Sequence, residues 1–126
     1  MRSEEFEKRW LREEFLLLER SPEVHERITA ILAGEGKESD DAAGLDRLLD
    51  LGLTRAPTPE SRKSAALKIW SRLEGNAEGE LAVQAEELIG RLESDPWAIV
   101  YLKRVFKVLA ARHGWKSFLR SSYLED

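Results

Sequence analysis

Apolar residues recur along the chain at intervals of three and four positions, which is the period of an α-helix with one buried face. The segments that follow this pattern are residues 3–20, 22–33, 40–51, 59–74, 77–92 and about 96–113. No segment alternates with a period of two, so strands are not predicted. The pattern predicts an all-α, single-domain helical bundle of about six helices over residues 1–126, with a frayed tail at 121–126.

Prolines mark where three of these helices are predicted to begin. Each follows a residue whose side chain can cap a helix, in the pairs Ser21-Pro22, Thr58-Pro59 and Asp95-Pro96. A cap oxygen accepts N–H groups that the first helical turn leaves without a partner, and a proline at the first position has no N–H to leave unsatisfied. At the other end of a helix, Gly52 is predicted to be the C-cap of segment 40–51.

Composition narrows the class of protein. The chain has 126 residues, 42% apolar and 35% charged, with a formal net charge of −4, as expected for a globular, helix-prone chain. It has no cysteine, which excludes disulfides, thiolate metal sites and cysteine nucleophiles. The first ten residues, MRSEEFEKRW, are mostly charged, so neither a secretory signal nor a membrane segment is predicted. A cytoplasmic location is expected.

One block of the sequence is basic although the chain as a whole has a negative net charge. Residues 97–120 contain six Lys or Arg and no Asp or Glu. The apolar residues of this block cover about half of a helix, which predicts a core helix packed on two or more neighbours. Lys103, Arg104 and Lys107 are predicted to lie on its solvent-exposed side. This side is either the outer face of an ordinary core helix or a surface for an anionic partner.

The acids of the preceding helix bear on this choice. Glu80, Glu86 and Glu87 lie away from the apolar stripe of their own segment, so they are predicted to face water. The two helices are expected to form an antiparallel hairpin. The basic side would then stay available to a partner.

A second basic cluster lies around segment 59–74. Arg55, Arg62 and Lys63 fall near the predicted start of that helix, where free N–H groups and the helix dipole favour phosphates. If this cluster lies beside the 97–120 block in the folded chain, the two would form one basic surface along which a phosphate backbone could bind. The alternative is that the cluster has no binding role, because a chain with 35% charged residues contains such clusters in any case.

Candidate catalytic chemistry is sparse. His25 and His113 lack the spacing of a helical metal site, and adjacent acids on a helix point about 100° apart, which suits general acid–base catalysis poorly. No glycine-rich phosphate loop or nucleophile motif occurs, so no enzyme, cofactor or metal is predicted. Trp97 and Trp115 flank the basic block and either anchor the core or stack on nucleobases.

Several stretches resemble a known family in sequence order. They are FLLLERSPEVHERITAILAGEGK (15–37), PTPESRKSAAL (57–67), AEELIGRLESDPWAIVYLKRVFKVLAARH (85–113) and FLRSSYL (118–124). Together they are similar to the YbgA-like domain of unknown function, which occurs alone in bacteria and also fused behind an iron–sulfur-dependent thiouracil and thiouridine desulfidase domain. The family has an Arg/Lys-Ser-His-x-Asn block, in which Arg62, Lys63 and Ser64 match but Ala65 and Leu67 replace His and Asn.

This resemblance implies an all-helical domain that acts as an RNA-facing accessory in tRNA or thiobase metabolism. The desulfidase chemistry belongs to a cysteine-bearing domain, and this chain has no cysteine. The resemblance also makes Arg62, Lys63 and Ser64 candidate binding residues, but it does not by itself imply an enzyme.

The first functional hypothesis is a non-enzymatic helical domain that binds RNA, with no membrane and no metal involved. Its candidate binding residues are Arg55, Arg62, Lys63, Ser64, Lys103, Arg104, Lys107, Arg112 and Lys116. The alternative is a module for protein–protein interaction or homo-oligomerisation that uses exposed apolar residues, such as Leu16, Leu53 or Trp115.

Overall fold

The computed structural model describes residues 4–34 and 42–125, and within these ranges it contains helices and no strand. The helices are α1 (Glu4–Arg20), α2 (Pro22–Leu32), α3 (Ala42–Leu53), α4 (Pro59–Leu73), α5 (Gly79–Arg91), α6 (Ala98–His113), α7 (Lys116–Leu119) and α8 (Ser122–Glu125), with a 3-10 turn at Glu74–Asn76. The predicted all-α, single-domain bundle is confirmed. Within the described residues each of the six predicted segments forms one helix, and residues 3, 40 and 41 of these segments lie outside them. Two short helices, α7 and α8, follow the six.

Two hydrophobic clusters form the core. The first lies between α1, α2 and α3 and includes Leu17, Ile28 and Leu49. The second lies between α4, α5, α6 and the two C-terminal helices, and α1 joins it through Leu16. Because α1 supplies buried side chains to both clusters, it is packed on two sides. Complete burial of one such side chain contributes about 1.5–3 kcal/mol to the stability of the fold.

Two of the three predicted helix starts are confirmed. The hydroxyl of Ser21 accepts the N–H of Val24 at the start of α2. Thr58 and Ser61 form a reciprocal capping box at the start of α4, with the Ser61 N–H 3.0 Å from the Thr58 hydroxyl.

The third predicted start is wrong by two residues, because α6 begins at Ala98 rather than at Pro96. The Asp95 carboxylate accepts the N–H of Trp97 at 2.9 Å, only two residues on. This contact closes an Asx turn over Pro96, which ends directly before the first residue of α6.

Gly52 is also not the predicted C-cap, because α3 continues to Leu53. It lies where α3 approaches α1 and α2 closely. A Cβ atom at this position would overlap Cδ1 of Leu17 and lie 3.1 Å from Cγ1 of Val24. The glycine therefore permits a close approach between helices.

The prediction of a frayed tail is wrong for residues 121–125, and residue 126 lies outside the described residues. Tyr123 of α8 is fully buried in the second cluster. The Ser122 hydroxyl donates to the carbonyl oxygen of Arg12 at 3.1 Å, and the Arg12 guanidinium lies 2.7 Å from the Glu125 carboxylate. These contacts hold α8 against α1.

Candidate functional site

The outer side of α6 carries the exposed part of the basic block. Arg104, Lys107 and Arg112 are exposed on this side, and α6 contains no Asp or Glu. Gly114 ends the helix in the left-handed conformation, with a φ of 77° that glycine adopts readily. The chain then turns into α7, which places Lys116 just beyond the end of α6.

The candidate cations differ in whether a carboxylate lies opposite them. Within residues 4–34 and 42–125, neither Arg104, Lys107, Arg112 nor Lys116 has an ion-pair partner. Arg55, in contrast, lies 3.6 Å from Glu23, and Lys63 lies 3.4 Å from Glu93. Arg62, Lys68 and Arg72 of α4 likewise have no ion-pair partner among the described residues, but α6 differs from α4 in carrying no acid of its own.

Two aromatic side chains accompany these cations. Trp97 is 68% exposed and Tyr101 is 52% exposed. The Arg104 guanidinium lies 5.6 Å from the centre of the Tyr101 ring, which is within range of a cation–π contact. Trp115, in contrast, anchors the core, because it is buried beneath the Arg72 guanidinium.

Lys103 is not on the exposed side, so that prediction is wrong. It is only 8% exposed, its ammonium lies 3.7 Å from the Glu19 carboxylate, and Glu19 is 1% exposed. The same ammonium lies 4.3 Å from the centre of the Tyr123 ring. Lys103 follows Ile99 by four positions and precedes Phe106 by three, which places it on the packed side of α6.

Tyr123 completes this buried group. Among the described residues its hydroxyl has no hydrogen-bond partner. Burial, and secondly the nearby Glu19 carboxylate, raise the pKa of Tyr123 well above its ordinary value of 10.0. Sequence reasoning missed both Glu19 and Tyr123. The signal for Glu19 was its place four residues after Phe15 and directly after Leu18, on the packed face of α1.

The basic cluster at the start of α4 lies beside a cleft of about 470 Å³. Two arginines, Arg20 and Arg55, and two glutamates, Glu23 and Glu60, line this cleft, so its charges balance. Ser64 also lines it and is half-buried, as are Arg62 and Lys63 nearby. Because Lys103 is buried, the nine candidate residues do not all lie on one exposed surface.

The predicted antiparallel hairpin of α5 and α6 is confirmed, and so is the exposure of the acids on α5. Glu87 forms an ion pair with Arg91 on its own helix, and the Glu80 carboxylate accepts from Gln84 at 3.4 Å. We call the exposed side of this hairpin the outer layer. It comprises Glu80, Val83, Glu87, Trp97, Val100, Tyr101, Arg104, Lys107, Val108 and Arg112.

The apolar residues named for the alternative hypothesis are not exposed as expected. Leu16 and Trp115 are buried, and Leu53 is half-buried against both core clusters. Each packs on a neighbouring helix instead of facing water. The exposed apolar side chains that the structure offers are others, chiefly in the outer layer.

Catalytic, metal and membrane features add little to this picture. Among the described residues, no group of three or more His, Cys, Asp and Glu could hold a metal ion. The His25 ring stacks on Trp10, and its Nε2 atom lies 3.4 Å from Glu14, which is a packing role. In the same part of the chain, no helix is long and apolar enough to cross a membrane.

Comparisons with protein-family models, with curated proteins and with solved structures found no match to this chain. The resemblance to the YbgA-like domain therefore stays a prediction from the sequence.

Proposed function

We propose that this chain is a non-enzymatic helical domain that binds RNA through the exposed side of α6. The observation that carries the proposal is the group of cations without a carboxylate partner among the described residues, Arg104, Lys107 and Arg112, on a helix that has no acid. Phosphates are attracted to such cations, and binding releases the counterions that RNA holds.

The aromatic residues of this side fit the same ligand. Single-stranded nucleic acids bind where a basic surface follows the backbone and aromatic rings stack on bases. Trp97 and Tyr101 are exposed on the side that carries Arg104. A cavity of about 230 Å³, lined in part by Lys103, Arg104 and Lys107, gives room for a phosphate group beside the two exposed cations, Arg104 and Lys107.

The proposal narrows the set of residues expected to contact RNA. Arg104, Lys107, Arg112 and Lys116 remain as the expected contacts. Lys103 is a core residue, so its charge serves the fold. Near the start of α4, Arg55 and Lys63 already have carboxylate partners and Arg62 is half-buried, so these cations are expected to contribute little.

The test is a titration of the full chain with labelled single-stranded RNA, read by fluorescence anisotropy. Four phosphate contacts predict roughly 50-fold weaker binding at about 200 mM salt than at about 50 mM salt. The double variant Arg104→Glu and Lys107→Glu should weaken binding by at least about ten-fold, because it also adds repulsion.

Lys63→Glu is the matched control, since it reverses a cation that Glu93 already partners. We expect its affinity for RNA to stay within about two-fold of the parent chain. Circular dichroism would show that each variant is folded. No binding at low salt, or equal affinity of the double variant and the parent, would overturn the proposal.

A further inference from the structure

Exposed large apolar side chains are concentrated in the outer layer. The described residues include eight of them, and five lie in α5, α6 or the turn before α6: Val83, Trp97, Val100, Tyr101 and Val108. The other three are Leu11, Leu51 and Leu67, on three different helices. Apolar side chains gathered on one surface mark a site for a protein partner, whereas scattered ones are ordinary.

The charges of the outer layer are divided between its two helices. Glu80 and Glu87 are exposed on α5, and Arg104 and Arg112 are exposed on α6. In the described residues no carboxylate of α5 forms an ion pair with α6, since Glu87 pairs with Arg91 on its own helix. α5 carries exposed Glu80, Glu86 and Glu87 against one exposed cation, Arg91, so its side of the surface is net acidic, whereas the side of α6 is basic.

This division makes the surface complementary to itself. A groove of about 330 Å³ between the two helices is lined by Glu87 and its ion-pair partner Arg91 on α5 and by Tyr101 and Arg104 on α6, so Glu87 and Arg104 lie at the same height. A two-fold axis parallel to the helices would place α5 of one copy over α6 of another, with Glu87 opposite Arg104 in both directions. A two-fold axis across the helices would stack acids on acids, which is costly.

We propose that the outer layer is the docking surface for a second copy of this chain, with α5 of each copy packed on α6 of the other. The contact is isologous, as in most two-fold dimers, and the exposed Val83 would pack on the apolar side chains of α6. The charge pairs set the orientation, and the apolar side chains exclude water around them.

This dimer goes beyond the proposed RNA binding and does not depend on it. It uses Arg104 and Arg112, so the α5 carboxylates of a second copy would occupy places that RNA phosphates take. RNA and the second copy therefore compete for the same side of α6. A dimer would hold the RNA-binding surface covered until RNA displaces one copy.

Sedimentation velocity of the full chain over the micromolar range tests the dimer. We expect a concentration-dependent dimer in the parent chain. Arg104→Glu alone and Glu87→Arg alone should each weaken it by at least about ten-fold, because each places like charges opposite one another. An equal mixture of the two variants should restore dimers, since both contacts are then between opposite charges.

Leu67→Ser is the control on the exposed side of α4, outside the outer layer, and it should leave the dimer unchanged. Trp97→Ser tests the apolar part and should weaken dimerisation while the chain stays folded. A parent chain that is monomeric throughout, or a mixture that stays monomeric when the parent dimerises, would overturn the proposal.

RNA added to the same samples separates the two proposals. Dissociation of the dimer into RNA-bound monomers supports the shared surface. A dimer that persists without binding RNA supports this inference and overturns the proposed function. Tight RNA binding by a chain that never dimerises overturns this inference alone.

Discussion

Lys103 and Lys107 lie one turn apart on α6, and their surroundings differ in almost every respect. Lys103 faces Glu19 and Tyr123 in the core, whereas Lys107 is exposed and has no ion-pair partner among the described residues. The contrast extends to the helices around them. The inner side of α6 is covered by α4, α5, α7 and α8, and the outer layer is covered by nothing in the described chain.

This difference separates residues that hold the fold from residues that are free to bind. On the inner side a polar group has to find its partner inside the protein, because water cannot reach it. In the outer layer a charged group is solvated at little cost, so it is available to a ligand. The same substitution should therefore lower stability on the inner side and leave it almost unchanged in the outer layer.

Removal of the Glu19 carboxylate should have the largest effect. Glu19→Ala leaves Lys103 buried without its anionic partner, and breaking a buried pair in this way costs about 3–5 kcal/mol of the free energy of unfolding. Urea denaturation followed by circular dichroism measures the loss. A cost of less than about 1 kcal/mol would mean that the pair is effectively solvated.

Glu87→Ala is the matched change in the outer layer, because Glu87 pairs with Arg91 in an exposed position. An exposed pair of this spacing contributes about 0.3–0.5 kcal/mol, so the stability should hardly change. The double variant Glu19→Leu with Lys103→Met replaces both charges by apolar side chains. It should recover most of the stability lost in Glu19→Ala.

A methyl group added to a glycine should have an intermediate effect whose sign depends on the region. Gly52→Ala forces the new Cβ against Leu17 and Val24, so we expect a loss of about 1–3 kcal/mol. Gly90→Ala lies on the exposed side of α5 with no atom within 4 Å, so it should stabilise the protein by about 0.5–1 kcal/mol. Thermal unfolding of both variants checks the comparison, and equal effects of the same sign would contradict it.

Much of the fold could be predicted from the sequence, because helix period and caps are local. The Ser21 and Thr58 caps and the six apolar segments needed no knowledge of distant residues. Lys103 could not be placed correctly, since its partner Glu19 lies on α1 at the other end of the chain. Gly52 was similarly misjudged, because the close approach of α1 is set by tertiary packing.

The candidate site was predicted in part for the same reason. The acid-free character of α6 is visible in the sequence, and the exposure of Arg104 and Lys107 follows from the helical period. What the sequence could not supply is which cations already have partners. The contacts of Arg55 with Glu23 and of Lys63 with Glu93 join different elements of the fold.

Removal of a tyrosine hydroxyl should have the smallest effect at neutral pH and an effect of defined sign at alkaline pH. The Tyr123 hydroxyl has no hydrogen-bond partner among the described residues, so Tyr123→Phe should change the free energy of unfolding near neutrality by no more than about 1 kcal/mol. Tyr101→Phe, in the outer layer, should change it even less.

Above pH 10 the two variants should diverge. The unfolded chain loses the Tyr123 proton near about pH 10, whereas burial raises the pKa of this group in the folded state, so the folded state keeps the proton. The unfolded state then binds fewer protons, and the free energy of unfolding falls by up to about 1.4 kcal/mol per pH unit. Tyr123→Phe should remove this part of the alkaline loss, whereas Tyr101→Phe should retain it. Urea denaturation between about pH 9 and pH 11 measures how the free energy of unfolding of each variant changes with pH. Equal slopes in the two variants would mean that the Tyr123 hydroxyl reaches solvent, so that the inner side of α6 is incompletely covered there.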